Sequence, residues 1–426
     1  MGMTGEQQGA PHALSSASGI GRSDRASHRA VIDVAWTVVT TEGCVRHQLD
    51  LSMTDAPARR LYFEVLAATL PPPVSRLDFA AVALVMFAMR EGRDLHLRGD
   101  VSRRLLANLV EYQRVWALWM PDVYRLVEIT CDRMVEEPPS ARRRAVCAFS
   151  GGVDATFAAL YHADGIAKVD RLEVASLMLV HGFDIRLEAT EAFSQARATG
   201  ERAAQAMGTP LVIVRTNFRE ATQPRWEEEF GVGVCACLHL FASECDTGVI
   251  ALDEDHKTFI VPWGSSPITN PMLSSGGMLI VSEGGGFTRT QKVAHIARNR
   301  RVADNLRVCW EGPVSGKNCG ICEKCVRTQL NFLAAGYPIP SGLGAAPTPA
   351  RVLGVNLRFR GQIVYFADIV EHGVVNGMQR SLIIALRVKI FLASLKYALR
   401  QRFRKSWIGR GWYASRGKLR GMFGGG

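Results

Sequence analysis

The 426-residue chain has no run of about 18 uncharged apolar residues, which argues against a transmembrane helix. Residues Met1 to Arg29 are rich in Gly, Ser and Ala and have no apolar core, so no secretory signal is read there. That segment is expected to be a disordered leader, and the chain to be cytoplasmic. No G-x-x-x-x-G-K-S/T string occurs, which removes the Walker phosphate loop. No internal repeat is present. Asp and Glu are missing altogether from His372 to Gly426, where there are twelve Lys and Arg. That tail accounts for the whole formal charge of +11, and the remainder is close to neutral. Nucleic-acid binding by the whole body is therefore not indicated. With no secretory signal, the ten cysteines read as thiols or metal ligands rather than disulfides.

What is present is enough apolar residue, 47%, for a sizeable core. Val31 to Val39 and Val45 to Leu51 read as strands joined near Thr41-Glu42-Gly43. Phe79 to Met89 and Val101 to Leu118 read as helices, and Val123 to Thr130 as a strand. Glu136-Glu137-Pro138-Pro139-Ser140 reads as a linker. From Ala141 strands and helices alternate: Ala145 to Phe149, Leu172 to Val180, Leu211 to Val214 and Val249 to Leu252 are strands, with a helix over about Glu188 to Met207. The expected class is α/β, a parallel sheet with helices on both faces, preceded by a small α+β domain and followed by a basic tail. The expected divisions are 1–29 (leader), 30–140 (accessory), 141–345 (catalytic) and 346–426 (extension).

The richest stretch is Ser150-Gly151-Gly152-Val153-Asp154-Ala155-Thr156. An apolar strand, Ala145 to Phe149, precedes it and a helix-like run, Phe157 to Tyr161, follows. Gly151 and Gly152 allow a sharp turn and close approach to a ligand. The first N–H groups of the helix lack internal partners and can point at phosphate oxygens. Ser150 and Thr156 add hydroxyls, and Asp154 can orient the turn or help hold a metal ion. In an open parallel sheet, ligands sit at the carboxyl ends of the strands. The turns at Ser150, at His181-Gly182-Phe183-Asp184 and at Thr216-Asn217 should therefore line one crevice. Asp184 can bond a ligand there or cap the following helix.

A second cluster is Cys319-Gly320-Ile321-Cys322-Glu323-Lys324-Cys325, with Cys309 ten residues upstream. Zinc prefers tetrahedral thiolate shells, and C-x-x-C turns bring two sulfurs to one ion. Lys317, Lys324 and Arg327 would offset the charge of four thiolates. An iron–sulfur or redox role for the same cluster stays open.

The loop resembles the PP-loop of the ATP pyrophosphatase superfamily, S-G-G-x-D-S/T, with Ala155 standing where that family has its second hydroxyl residue and Thr156 one position later. The PP-loop and the four cysteines together resemble the 7-cyano-7-deazaguanine synthase branch, over about Arg143 to Tyr337. Thr290-Gln291-Lys292-Val293 resembles that branch's phosphate-proximal lysine segment, and Leu306-Arg307-Val308-Cys309-Trp310 its strand-then-Cys segment. The resemblance implies an adenine nucleotide alpha hydrolase-like fold, ATP and magnesium at Ser150 to Thr156, adenine and ribose near His181, Gly182 and Asp184, and a structural zinc on the cysteines. It also implies adenylation of a carboxylate or carbonyl oxygen, on a small molecule or a protein terminus, with ammonia, an amine or a sulfur donor displacing AMP. Asp154 and Lys292 would be the catalytic pair. No N-terminal glutaminase cysteine is present, so nitrogen would come from free ammonia or a partner.

The branch's Tyr-Pro-Asp-Cys-like segment is absent. Val261 to Pro271 stands in its place, and its Trp263, Ser265, Ser266 and Asn270 are candidates for a pocket that takes a different acceptor; an ordinary structured loop is the alternative. Arg225 to Glu229 reads as a solvated face, Asp253 to His256 as an exposed acidic turn with metal binding as the alternative, Cys235 and Cys237 as core, and Gly284 to Gly286 as a mobile loop. The charges of Arg380 to Trp407 do not fall on one helical face, and RNA, acidic protein and a membrane surface all stand as partners for this tail. Two other functional readings stand beside the enzyme: a non-catalytic ATP-binding scaffold or sensor, and an RNA-modifying PP-loop enzyme. Oligomeric assembly is left open.

Overall fold

The computed structural model describes residues 29–137, 143–309, 315–357 and 360–405. The expected leader before Arg29, Pro138 to Ser140 of the expected linker, Trp310 and the chain after Lys405 lie outside the described residues.

Among the described residues, ten strands form one α/β sheet: β1 (Val31–Thr41), β2 (Cys44–Met53), β3 (Ala56–Leu66), β4 (Asp94–Ser102), β5 (Ile129–Val135), β6 (Arg144–Ala148), β7 (Glu173–His181), β8 (Leu211–Thr216), β9 (Thr247–Ala251) and β10 (Leu279–Glu283). Their order is β10-β9-β6-β7-β8-β3-β2-β1-β4-β5. The sheet is mostly parallel: β10 to β8 form one parallel block, and β1-β4-β5 a second. Between the blocks, β3 pairs antiparallel with β8, Phe63 opposite Thr216. The strands before residue 137 therefore extend the same sheet rather than form a separate one.

Side-chain alternation along β6 shows how both faces are covered. Ala145 and Cys147 pack with Ala155, Ala158, Ala203 and Ala204 of the helices Val153–Ala163 and Thr190–Met207. Val146 faces the other way, into the largest core with Cys235, Cys237 and the helix Asp78–Glu91. Phe79 to Met89 of that helix are all buried, as an all-round apolar helix must be. Glu229 ties this side together. It does not lie on a solvated face: it is buried against Arg90, and it accepts from Tyr124 Oη at 3.0 Å. Burial raises its pKa, and Arg90 works against the rise.

The strand order reverses between β6 and β9: from β6 the chain adds β7 and β8 on one side, then crosses back to β9 and β10 on the other. Such a switch point opens a crevice at the carboxyl ends of the two central strands. Leu306 to Cys309, read as a strand from sequence, is an extended segment outside the sheet.

Candidate active site and cysteine cluster

The crevice is built from the ends of β6 and β9. After β6 the chain turns at Gly151, whose φ of 77° lies in the left-handed region that favours glycine. Gly152 is the N-cap of the helix Val153–Ala163, and its N–H donates to Ser150 Oγ at 3.3 Å. The first N–H groups of the helix lack intrahelical partners. Arg307 locks the turn from below: its N–H donates to Gly151 O at 2.8 Å, and its guanidinium to Ser150 O at 3.1 Å. Asp184 lies 4.0 Å from the same guanidinium, which brings the second expected turn to the crevice.

Charge concentrates on Asp154 in the first helical turn. Arg289 pairs with one carboxylate oxygen, and Lys292 Nζ donates to the other at 3.1 Å. Burial would raise the Asp154 pKa, but Arg289, Lys292 and Arg327 outweigh it and hold it at about 2. Lys292 is itself buried and donates to Leu252 O, at the end of β9, at 2.6 Å. It lies within the first turn of the helix Arg289–Ile296, which a Thr288/Gln291 capping box starts. Asp253 follows β9 directly. It is not an exposed acidic residue: burial and the Asp154 charge raise its pKa. Two polar atoms here are buried without a hydrogen-bond partner, Thr156 Oγ1 and Arg289 Nε. Ala155 packs into the apolar cluster under the sheet, so that position carries no hydroxyl toward the loop.

The other expected ligand residues are placed differently. His181 stacks on Phe193 with ring centroids 3.9 Å apart, and its Nε2 meets Arg186 O at 3.1 Å. Its ring is engaged in packing. Gly182 passes so close to Thr216 O that a Cβ would come within 1.9 Å of it. The polar groups of Ser265, Ser266 and Asn270 are spent on one another. Asn270 donates to Ser265 Oγ at 3.0 Å and Ser282 Oγ at 2.9 Å, and accepts from Ser266 N at 3.1 Å. Ser266 Oγ meets Thr269 Oγ1 at 2.9 Å. Trp263 packs on Phe230, with its indole N–H buried and unpaired. Gly284 and Gly285 are buried, and Gly285 O accepts from His256 N at 2.8 Å, which ties that loop down.

The four cysteines meet as one cluster, their sulfurs all within 4.8 Å of one another. Cys309 and Cys322 are 3.7 Å apart, and Cys319 and Cys325 3.9 Å. Zinc–sulfur bonds of about 2.3 Å in a tetrahedron require separations of about 3.8 Å. The cluster is close enough to hold a metal ion and is compatible with zinc. Cys322 N donates to Cys319 Sγ at 3.3 Å, and Asn318 Oδ1 holds Val308 N and Cys309 N at 2.8 and 3.2 Å. Cys322 is the N-cap of the helix Glu323–Ala334, where the helix dipole favours thiolate. Hydrogen bonds from Cys325, then from Cys319 and Cys309, push its thiol down to about 5. The same helix carries Lys324 and Arg327 toward the crevice. Arg327 pairs with Glu323 at 2.9 Å, lies over the Tyr365 ring at 4.7 Å, and bears on Asp154.

Sequence reading identified Asp154, Lys292 and the cysteines, weighed Asp253 only within an acidic turn, and passed over Arg289 and Arg307 as crevice residues. The strand-end position of Asp253 was the signal available for it. No family model, curated protein or solved structure matches this chain.

Proposed function

We propose that this chain is an ATP-dependent, AMP-forming enzyme of the PP-loop kind. It adenylates a carboxylate or carbonyl oxygen with release of pyrophosphate; ammonia, an amine or a sulfur nucleophile then bonds the activated carbon, and AMP leaves with that oxygen. The observation that carries the reading is the pairing of Arg289 and Lys292 with one carboxylate, Asp154, beside a glycine turn and helix start at the sheet's switch point. Arg289 and Lys292 on either oxygen of Asp154, beside a helix start, make a cation-lined turn that a polyphosphate complements. The orphaned Thr156 Oγ1 and Arg289 Nε fit a group with many acceptor oxygens.

In this reading ATP lies with its phosphates over Ser150 to Thr156. The N–H groups at the helix start bond phosphate oxygens, and Lys292 with Arg289 neutralises the charge that develops as pyrophosphate leaves. The acceptor oxygen attacks the α phosphorus, the α–β bridge breaks, and AMP departs in the second displacement. Magnesium fits the oxygen donors Asp154 and Asp253, and would supply charge neutralisation at the phosphates. Zinc on Cys309, Cys319, Cys322 and Cys325 would be structural, holding the start of the helix that presents Lys324 and Arg327. The acceptor differs from that of the deazaguanine synthases, because Val261 to Pro271 replaces their recognition segment.

The test is incubation of the full chain with ATP, magnesium, ammonia and a pooled carboxylate library. AMP and pyrophosphate are the expected products. ADP and phosphate would refute the class, and tight ATP binding with no AMP from any acceptor would favour a sensor.

A further inference from the structure

The C-terminal helix Arg380–Lys405 docks on the body through its first half only. Leu382, Ala385 and Leu386 are buried with Val326, Leu330, Phe366 and Ile369. From Phe391 to Arg400 no residue is buried. Yet this half is not polar. Phe391 is 67% exposed, Leu392 52%, Leu395 48% and Leu399 56%, and Ile384 and Val388 are exposed before them. At 100° per residue these six fall within about 100° of one another, opposite the docked face. They form one apolar stripe on the outside of the molecule.

The cations take their meaning from that stripe. Arg380 and Arg387 lie close beside one of its edges, Lys396 and Arg400 about 40–80° beyond the other, past the turn where Lys389 faces the body, and Arg402 falls on the stripe's own line past Leu399. Lys389 also donates to Leu353 O at 2.8 Å. The sequence shows charges on two opposite sides, and the structure shows what lies between them. No acidic residue follows Glu371 anywhere in the chain. The helix is not long and apolar enough to cross a membrane.

We infer that this helix lies on an anionic lipid surface, its stripe among the acyl chains and its flanking Arg and Lys at the phosphate plane. A planar charged surface matches cations on both edges of an apolar band. An RNA base can stack on Phe391, but RNA offers nothing to bury the aliphatic Ile384, Val388, Leu392, Leu395 and Leu399 of the stripe. A second copy would bring two sets of like charges together at the seam. The inference is independent of the nucleotide chemistry, since it concerns the face of the molecule formed by this helix and can be read without ATP.

The experiment is co-sedimentation of the full chain with phosphatidylcholine vesicles, with and without phosphatidylserine, at low and raised salt. Binding is expected to phosphatidylserine vesicles and to weaken with salt. Phe391→Ser with Leu395→Ser keeps every charge and removes two anchors, and should lower partitioning by about 100-fold. Both side chains lie beyond the docked half, so an unchanged melting temperature is expected and checks the fold. No binding to anionic vesicles, or equal binding by the double variant, would overturn the inference. So would RNA binding without vesicle binding, or self-association that the double variant abolishes.

Discussion

Two polar regions of this molecule, the crevice around Asp154 and the turn from Ser265 to Asn270, look equally chemical in sequence and are physically opposite. In the turn, donors and acceptors are matched by protein partners: Asn270 bonds Ser265 and Ser266 within the segment and Ser282 on β10. In the crevice, Arg289 and Lys292 share Asp154, and Thr156 Oγ1 and Arg289 Nε have no partner. A satisfied polar network builds structure, whereas an unsatisfied one is poised for a ligand. Residue type nominates a site, and the balance of partners distinguishes the two uses.

Substitution should separate the regions. Lys292→Met removes a buried cation from the crevice and should lower AMP formation by about 100-fold or more, read as turnover with saturating acceptor. Cys319→Ser, or chelation, should release one zinc per chain by atomic absorption. It should also weaken ATP binding by about tenfold, because Cys322 caps the helix that carries Lys324 and Arg327. Asn270→Ala should cost about 1–3 kcal/mol of stability in denaturant melts, by orphaning buried partners, and leave ATP affinity unchanged. A large loss of affinity there would erase the contrast. Gly151→Ala should cost about 1–2 kcal/mol for its left-handed φ and weaken ATP binding with it.

The smallest expected effect is that of pH. The Asp154 pKa is depressed to about 2, below its unfolded value, so its ion pairs contribute stability above the ordinary carboxylate range and lose it only as pH falls through about 2. The melting-temperature difference between the chain and Asp154→Asn should therefore persist from pH 7 to pH 5. Loss of that difference over the interval would mean that Asp154 is not held by these cations.

The legible parts of the fold were local. The strand, glycine turn and helix around Ser150 are consecutive in sequence, as are three of the four cysteines. The helix Thr190–Met207 shows its end at Gly208, which takes a φ of 69°. Strand β3 was hidden by Pro57 and the Arg59-Arg60 pair, residues that weaken a strand reading. Its pairing with β8 joins Phe63 to Thr216 across a separation that no local pattern records. For the same reason Asp253 reads as part of an exposed turn and Arg289 stands out in no local pattern: each becomes part of a site only when β6 and β9 lie side by side. The two-edged charge of the last helix looked patternless until its docked face was known.

The most direct test of the central claim is calorimetric titration of the full chain with ATP and magnesium, run beside Lys292→Met and Asn270→Ala. The account predicts one ATP site per chain, lost in Lys292→Met and kept in Asn270→Ala. No ATP binding, or binding indifferent to Lys292, would contradict it.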